Sequence, residues 1–254
     1  MNLFGALVLS VVEGITEFLP VSSTAHLVLV SKLMNLTTTN FSKSFDVVIQ
    51  FGAILAIVSL YWKTIVTKPK MLIPIAAAFV PTAIIGLLLY KLIKNVLLTD
   101  IPVIIGSLIV GGVVLILMDR FTKKPKFADL TSMPLTHAVI IGIGQSLAVV
   151  PGVSRSAVTI ITALLLGWNR ESAVEFSFLL AVPTIAAAAG LDAVKNIHAL
   201  TSNLPALGVG FLGSWLTAYF AVKGFVGFVK RNNFAVFGWY RIIAAGAFWL
   251  ISGV

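Results

Sequence analysis

The sequence predicts an all-α integral membrane protein, and composition and patterning both indicate it. Hydrophobic residues make up 59% of the 254-residue chain and charged residues only 11%, and the mean hydropathy is +1.05. In soluble proteins, about a quarter of all residues are charged. Apolar runs of about 20 residues, enough to cross a bilayer core, recur between short stretches that contain lysine and arginine. A water-soluble globule is therefore excluded.

The apolar runs are of two kinds. The first kind is uninterrupted and predicts full transmembrane helices. The second kind, at Leu3 to Leu33 and Pro134 to Leu166, is interrupted midway by a polar stretch that contains proline. The six predicted full spans are Phe45 to Trp62, Met71 to Tyr90, Pro102 to Met118, Ser172 to Leu191, Leu204 to Val222 and Phe234 to Ser252.

The two interrupted regions resemble each other, which predicts a duplicated unit. Each begins Gly-Ile-x-Glu/Gln, reaches a proline, continues through a hydroxyl-rich turn into another apolar helix, and precedes three plain spans. We interpret each as a re-entrant helix pair. Three crossings then place the second copy on the opposite side of the membrane, which gives an inverted-topology repeat. One membrane domain would thus comprise repeats 1–120 and 132–254, joined by a basic cytoplasmic linker, 121–131.

The loop charges predict the orientation of this arrangement. The side richer in lysine and arginine should be cytoplasmic, so both termini and the mouth of the first interrupted region should face outward. No continuous basic face is present, and the net charge of +9 therefore does not predict a nucleic-acid partner. Met1 to Ser10 lack a basic start, so no cleaved signal is expected. The richer side holds Lys63, Lys68, Lys70, Arg120, Lys123, Lys124, Lys126, Arg170, Lys223, Lys230 and Arg231, against Lys32, Lys43, Lys91, Lys94 and Lys195 on the other.

Two acids in the first interrupted region predict a cation site. Glu13 and Glu17 are four residues apart and would share one helix face. An ionised carboxylate at membrane depth costs a few kcal/mol. Mg²⁺ or Ca²⁺, which prefer hard oxygen ligands, would compensate this cost by bridging both carboxylates to a phosphate. The alternative is an outward-facing pair near the membrane edge.

The hydroxyl-rich turn after Pro20 predicts a phosphate site. Ser22, Ser23 and Thr24 lie where a new helix should begin, and unpaired backbone N–H groups at a helix start attract anions. His26 would lie within reach of the Ser22 or Ser23 hydroxyl, so a base-activated serine nucleophile is a further hypothesis. The alternatives are an ordinary helix cap and a packing histidine.

The second interrupted region contributes a positive charge. Arg155 lies between Ser154 and Ser156 after a Pro-Gly turn, and its planar guanidinium could bind phosphate oxygens in a bidentate manner. The alternative is a structural ion pair with Glu13 or Glu17. Gln145, as the counterpart of Glu17, could hydrogen-bond the same site, and Arg241 inside the last span has no assigned role.

These motifs resemble those of a known family. Glu13-Gly-Ile-Thr-Glu-Phe-Leu-Pro-Val-Ser-Ser-Thr-Ala-His26 and Pro151-Gly-Val-Ser-Arg-Ser156 are similar to the two signature motifs of bacterial undecaprenyl-diphosphatases of the BacA/UppP type. Further similarity at 48–52, 175–183 and 237–241 extends the resemblance through most of the chain.

The resemblance implies an enzyme of the bacterial inner membrane. It would remove the terminal phosphate from undecaprenyl diphosphate, a polyprenyl lipid carrier used in cell-wall synthesis, and it would be associated with bacitracin resistance. The resemblance also implies a similar inverted repeat. It assigns active-site positions to Glu13, Glu17, Ser23, His26 and Arg155. Self-association as a homodimer stays open.

The residues leave several mechanistic alternatives. Ser23 is either the nucleophile or the principal phosphate-binding hydroxyl, and Glu17 or His26 accepts its proton. Water attack on a phosphate that Ser23 only binds is the alternative, because phosphoryl transfer depends mostly on positioning and electrostatics. A transporter or flippase of the polyprenyl phosphate is the rival function, since inverted repeats with broken helices are a transporter architecture. An acid-phosphatase-like enzyme is disfavoured, because position 161 is isoleucine where a histidine is required.

Overall fold

The computed structural model describes residues 1–37, 39–95, 100–122, 124–195 and 201–253. Over these ranges the chain is α-helical without a β-strand, and six helices are long and apolar enough to cross a membrane. The predicted all-α membrane class is therefore confirmed. Lys123 lies outside the described residues, as do the side chains of Lys91, Lys94 and Lys195. The helices are α1 (Leu3–Thr16), α2 (Ser23–Leu33), α3 (Asn40–Thr67), α4 (Leu72–Asn95), α5 (Ile101–Phe121), α6 (Leu135–Gln145), α7 (Arg155–Leu165), α8 (Arg170–Lys195), α9 (Leu204–Val229) and α10 (Ala235–Ser252).

Most long helices extend beyond the predicted apolar spans. The largest difference is α3, which begins five residues before Phe45 and ends five residues after Trp62. Its start is stabilised by a reciprocal capping box, in which the Thr39 and Ser42 side chains each accept a hydrogen bond from the other residue's backbone N–H. Hydropathy detects the apolar part of a helix and not its polar ends, which explains the difference.

The two interrupted regions are pairs of short helices, α1 with α2 and α6 with α7. Pro20 and Pro151 lie in the connecting turns, where a proline prevents the helix from continuing. Two serines at corresponding positions, Ser22 and Ser154, precede the second helix of each pair with φ values of 71° and 74°. The order short, short, long, long, long thus occurs twice, and the inverted duplication and membrane re-entry stay predictions.

Both chain termini lie at one end of the helix bundle. The Asn203 amide donates to the Met1 carbonyl at 3.0 Å, and Lys32 donates to the Ser252 carbonyl at 3.1 Å. The starts of α1 and α9 and the ends of α2 and α10 are therefore neighbours. Because α1 and α2 connect this end to the interior and back, the turn between them is placed inside the bundle.

Helices from the two predicted repeats pack closely against each other. Helix α9 lies against α1 and α3, where a Cβ on Gly14 would come within 1.9 Å of the Thr217 hydroxyl and one on Gly52 within 2.5 Å of the Phe211 carbonyl. Small residues at such contacts allow helix backbones to approach in a membrane. Helix α10 packs against α5, and helix α6 packs against α4. Helices of one half therefore pack against helices of the other half, which supports a single membrane domain.

Candidate active site

The turns of the two helix pairs meet in the protein core. A nitrogen of the Arg155 guanidinium lies 3.0 Å from Glu17 Oε1, and both side chains are largely buried. Beside this ion pair, the Ser156 hydroxyl donates to the Phe18 carbonyl at 2.7 Å. The acidic turn of one half and the basic turn of the other thus form one site, although 138 residues separate the partners in sequence.

Ser23 lies directly against the same carboxylate. As the first residue of α2, it donates its hydroxyl proton to Glu17 Oε2 at 2.6 Å. Glu17 therefore receives Arg155 on one oxygen and Ser23 on the other. Of the two proton acceptors that the sequence left open for Ser23, the geometry favours Glu17.

The remaining hydroxyls have different roles. The Ser22 side chain makes no capping bond to α2, and the Thr24 side chain, two residues further on, is partly exposed. The Ser154 hydroxyl accepts the Ala157 N–H at 3.2 Å, so it caps α7 as an ordinary N-cap residue. Ser156 is engaged by the Phe18 carbonyl. The first turn therefore offers more unengaged hydroxyls for phosphate than the second.

Glu13 is completely buried, and neither carboxylate oxygen has a hydrogen-bond partner among the described residues. It interacts electrostatically with Glu17 and Asp46 as well as with Arg155. Two ionised carboxylates this close at low dielectric repel each other strongly. A proton shared by the two groups or a cation beside them would relieve this repulsion, and the predicted alternative of an outward-facing pair does not fit the burial of Glu13.

The donor set fits a hard divalent cation in part. Glu13 and Glu17 supply carboxylate oxygens of the kind that Mg²⁺ and Ca²⁺ prefer, and the Glu13 oxygens are unpaired. Within the described residues, no cluster of three or more His, Cys, Asp or Glu side chains is arranged to hold a metal. Phosphate oxygens or water would therefore have to complete the coordination, as is usual for Mg²⁺.

Two more unpaired polar atoms lie around Arg155. Its Nε and the Ser177 hydroxyl are buried without a hydrogen-bond partner in the described part of the chain, while Arg155 Nη1 donates to the Ser177 carbonyl at 2.9 Å. Leaving a buried polar group unsatisfied costs about 1–3 kcal/mol. Such groups beside an arginine are suited to an anionic ligand that accepts hydrogen bonds.

His26 is engaged differently from the sequence prediction. Its Nδ1 lies 2.8 Å from the Ser22 carbonyl and its Nε2 lies 2.7 Å from the Tyr240 hydroxyl on α10. The contact to Ser22 is therefore made with the backbone and not with a serine hydroxyl. Since a side chain on the last helix occupies its second nitrogen, the ring is not placed to receive the Ser23 proton.

Arg241 joins the turns of both helix pairs. Its guanidinium is completely buried and donates to five backbone carbonyls at 2.7–3.3 Å. One carbonyl belongs to the first turn, two belong to the second turn and two belong to α5. A single side chain thus fixes the relative position of the segments that carry Ser23 and Arg155. The acceptors are Pro20, Gly152, Val153, Ser107 and Leu108.

The second turn depends on a glycine at its closest contact. Gly152 has a φ of +89°, and an added Cβ would lie 2.6 Å from the Ile104 carbonyl on α5. Residues with a side chain rarely adopt this backbone conformation. The glycine therefore allows its own carbonyl to reach Arg241 at 2.7 Å.

Comparison with known proteins decides the family. The sequence pattern of the family described as "Bacitracin resistance protein BacA" matches residues 6–247. The chain belongs to this family. Relatives named "Undecaprenyl-diphosphatase" occur in Persephonella marina, with 48% identity over 98% of this chain and 99% of the relative, and in Aquifex aeolicus, with 46% identity over 96% of each chain. A relative of the same name in Wolinella succinogenes is 45% identical over 96% of this chain and 95% of its own.

Two residues of this BacA-family protein were missed by sequence reasoning. Arg241 had a signal, because a charged residue inside a span is functional by default, but its partners are carbonyls, which any residue provides. Tyr240 lies in the family-similar segment 237–241, but nothing in the sequence pairs it with His26, from which 214 residues separate it. Gln145 was expected to bond the Glu17 site, and its amide instead donates to Thr82 at 2.9 Å and Thr184 at 3.3 Å.

The variant Arg241→Lys should destabilise this BacA-family protein by about 3 kcal/mol, because a lysine ammonium has three donors and cannot reproduce a planar five-donor group. Thermal denaturation in detergent measures the effect as a lower midpoint. The matched control is Arg231→Lys at an exposed position after α9, which should melt like the unmodified protein. Equal midpoints for both variants would contradict the assigned role of Arg241.

Proposed function

We propose that this BacA-family protein hydrolyses undecaprenyl diphosphate to undecaprenyl phosphate and inorganic phosphate. The observation that carries the proposal is the buried series Ser23, Glu17 and Arg155, joined at 2.6 and 3.0 Å. It combines a hydroxyl, a proton acceptor and an anion-binding cation. The relatives named undecaprenyl-diphosphatase support the same substrate. The protein would recycle the lipid carrier for cell-wall synthesis, and the family description supports an association with bacitracin resistance.

The terminal phosphate would bind between the two turns. Arg155 would contact its oxygens through Nε and the guanidinium edge, and the first backbone N–H groups of α2, which have no partner in a preceding turn, would contact the others. Ser22 and Thr24, the neighbours of Ser23 in the chain, would contribute further hydroxyls. The polyprenyl chain would remain among the apolar helix surfaces, so the lipid need not leave the membrane for its headgroup to reach the site.

The Ser23 hydroxyl would then attack the terminal phosphorus. A bond forms between Ser23 Oγ and phosphorus while the bond from phosphorus to the bridging oxygen breaks, which releases undecaprenyl phosphate. The Ser23 proton moves to Glu17 and from there to the leaving phosphate. Water next attacks the phosphoserine, frees inorganic phosphate and restores the serine hydroxyl, so that one water is consumed per turnover.

A divalent cation, Mg²⁺ or Ca²⁺, would be held by Glu13 and Glu17. When bound, it would neutralise charge on the two carboxylates and on the phosphate oxygens. The need for positive charge beside the buried, unpaired Glu13 oxygens supports this assignment. Arg155 then stabilises the phosphoryl charge from the opposite turn.

The orientation belongs to the same proposal. The side of the protein with fewer basic residues, which includes both chain termini, would face the outer side of the bacterial inner membrane. The mouth of the site would open on the same side. The headgroup entrance would then lie beside the termini, near the start of α1 and the end of α2, which the Met1 and Lys32 contacts hold at the same end of the bundle. Assembly as a homodimer stays a prediction.

Phosphate release from undecaprenyl diphosphate by the purified protein tests the function. In detergent, with Mg²⁺ or Ca²⁺ added, we expect one inorganic phosphate per lipid and undecaprenyl phosphate as the second product. Chelation should lower the rate more than tenfold, and added cation should restore it. Lipid movement across sealed vesicles without phosphate release would contradict the proposal and favour a transporter.

A further inference from the structure

His26 is held at both ring nitrogens by groups that define its protonation. Nδ1 lies 2.8 Å from the Ser22 carbonyl, and a carbonyl only accepts, so Nδ1 carries the hydrogen. A neutral imidazole has one N–H, and Nε2 therefore accepts the Tyr240 hydroxyl at 2.7 Å. The ring is buried, and it interacts electrostatically with the nearby cation of Arg241. Both conditions disfavour a second positive charge there.

The two rings also lie nearly parallel. The His26 and Tyr240 planes are 5° apart and their centroids are 5.5 Å apart, and with the Tyr240 hydroxyl 2.7 Å from Nε2 the rings meet edge to edge. The hydroxyl contact restricts the rotation of the imidazole, so that Nδ1 remains directed at the Ser22 carbonyl. The position of the histidine is thus set by α10 rather than by its own helix alone.

The carbonyl that His26 binds belongs to a strained residue. Ser22 has φ 71° and ψ 91°, a conformation that costs a residue with a side chain about 1–3 kcal/mol. Its own hydroxyl makes no capping bond that would stabilise this turn. The His26 ring and the His26 backbone N–H at 3.3 Å both donate to the Ser22 carbonyl. These bonds hold the strained residue immediately before Ser23.

From these contacts we propose that Tyr240 is a positioning residue for the phosphatase reaction and that His26 acts through the backbone, not as the base. The Ser22 carbonyl sets the Nδ1–H tautomer of His26, and the Tyr240 hydroxyl donates to Nε2 and holds the ring in that orientation. His26 in turn holds the carbonyl of Ser22, and Ser22 directs the Ser23 hydroxyl toward Glu17. Only the expected change in reaction rate depends on the proposed function. The tautomer and the contacts are properties of the resting protein.

The tautomer is tested by nitrogen NMR on protein labelled at histidine. The chain has three histidines, and the His26→Asn variant identifies the His26 signals by their disappearance. In the unmodified protein we expect Nδ1 to be protonated and Nε2 to be unprotonated. The chemical shift of Nε2 should show that this nitrogen accepts a hydrogen bond. In Tyr240→Phe, the Nε2 signal should move toward that of an unbonded nitrogen. A protonated Nε2 with a bare Nδ1 would overturn the inference.

Kinetics separate positioning from proton transfer. Tyr240→Phe keeps the aromatic ring and removes one hydroxyl, and we expect kcat to fall about 5- to 10-fold, the value of one hydrogen bond, with KM within twofold. The matched control Tyr219→Phe, on α9 beside Lys223, should leave both constants unchanged. Unchanged kcat in Tyr240→Phe would overturn the inference.

A conservative replacement of His26 gives the decisive comparison. The side-chain amide of His26→Asn can still donate to the Ser22 carbonyl but is not a base, whereas His26→Leu can do neither. We expect the asparagine variant to retain at least tenfold more activity than the leucine variant. Equal loss in both would overturn the positioning role. If the unmodified protein releases no phosphate, the proposed function fails, and the NMR experiment still decides the tautomer.

Discussion

Ser23→Ala should lower the rate of phosphate release by about 10⁴-fold, since loss of an attacking hydroxyl leaves only binding and electrostatic stabilisation. The Ser23 oxygen is the atom that donates to Glu17 at 2.6 Å, and alanine removes it with little change of volume in the buried turn. The measurement is initial-rate phosphate release at saturating lipid. The protein should remain folded, because the bond that the Ser23 hydroxyl makes within the described residues is the one to Glu17.

A matched control and a trapping experiment complete this prediction. Ser59→Ala removes an exposed hydroxyl that bonds the Leu55 carbonyl within α3, and it should retain full turnover. Rapid acid quenching with labelled terminal phosphate should leave label on the unmodified protein and none on Ser23→Ala. A loss of only about tenfold, without trapped label, would show that water attacks and that Ser23 merely binds the phosphate.

Arg155→Ala is expected to lower kcat/KM by about 10³-fold. The substitution removes the guanidinium that we propose binds the phosphate, a contribution of about 10²–10³ for a single transition-state donor, and it leaves Glu17 buried without its cation. Arg155→Lys should recover part of the loss, because a lysine supplies charge without the bidentate geometry. Phosphate release across a range of lipid concentrations separates kcat from KM.

The control for Arg155→Ala is Arg231→Ala. Arg231 is exposed in the turn between α9 and α10, so its replacement changes the net charge equally without touching the site. Its kcat/KM should equal that of the unmodified protein. If Arg155→Ala melts normally and keeps more than a tenth of the activity, Arg155 is a structural ion-pair partner and not a phosphate ligand.

The sequence predicts the helices better than their ends. Long apolar runs determine where α3 to α5 and α8 to α10 cross, because a bilayer requires about 20 apolar residues. The polar ends of α3 were missed, since Asn40 and Thr67 are not apolar and the Thr39 capping box is a local hydrogen-bond pattern. The re-entrant placement and the membrane orientation stay predictions.

The candidate site was predictable where charge required a partner. An acid and an arginine inside apolar regions of the two halves need each other, and Glu17 and Arg155 meet at 3.0 Å. The contacts of Tyr240 and Arg241 could not be predicted in this way. Each depends on how α10 is rotated and on which carbonyls point inward, and neither property is encoded in residue type. His26 is an example. Its spacing in the sequence predicted a contact with a serine hydroxyl, whereas its ring contacts the backbone carbonyl of Ser22.

The five carbonyl contacts of Arg241 have a consequence for selectivity between the lipid before and after reaction. Carbonyl dipoles solvate the guanidinium but do not cancel its charge, so its field persists through the low-dielectric interior toward both turns. A headgroup with two phosphates experiences more of that attraction than one with a single phosphate. We therefore expect hydrolysis to weaken the binding of the remaining lipid, so that the arginine that shapes the site would also favour release of the product.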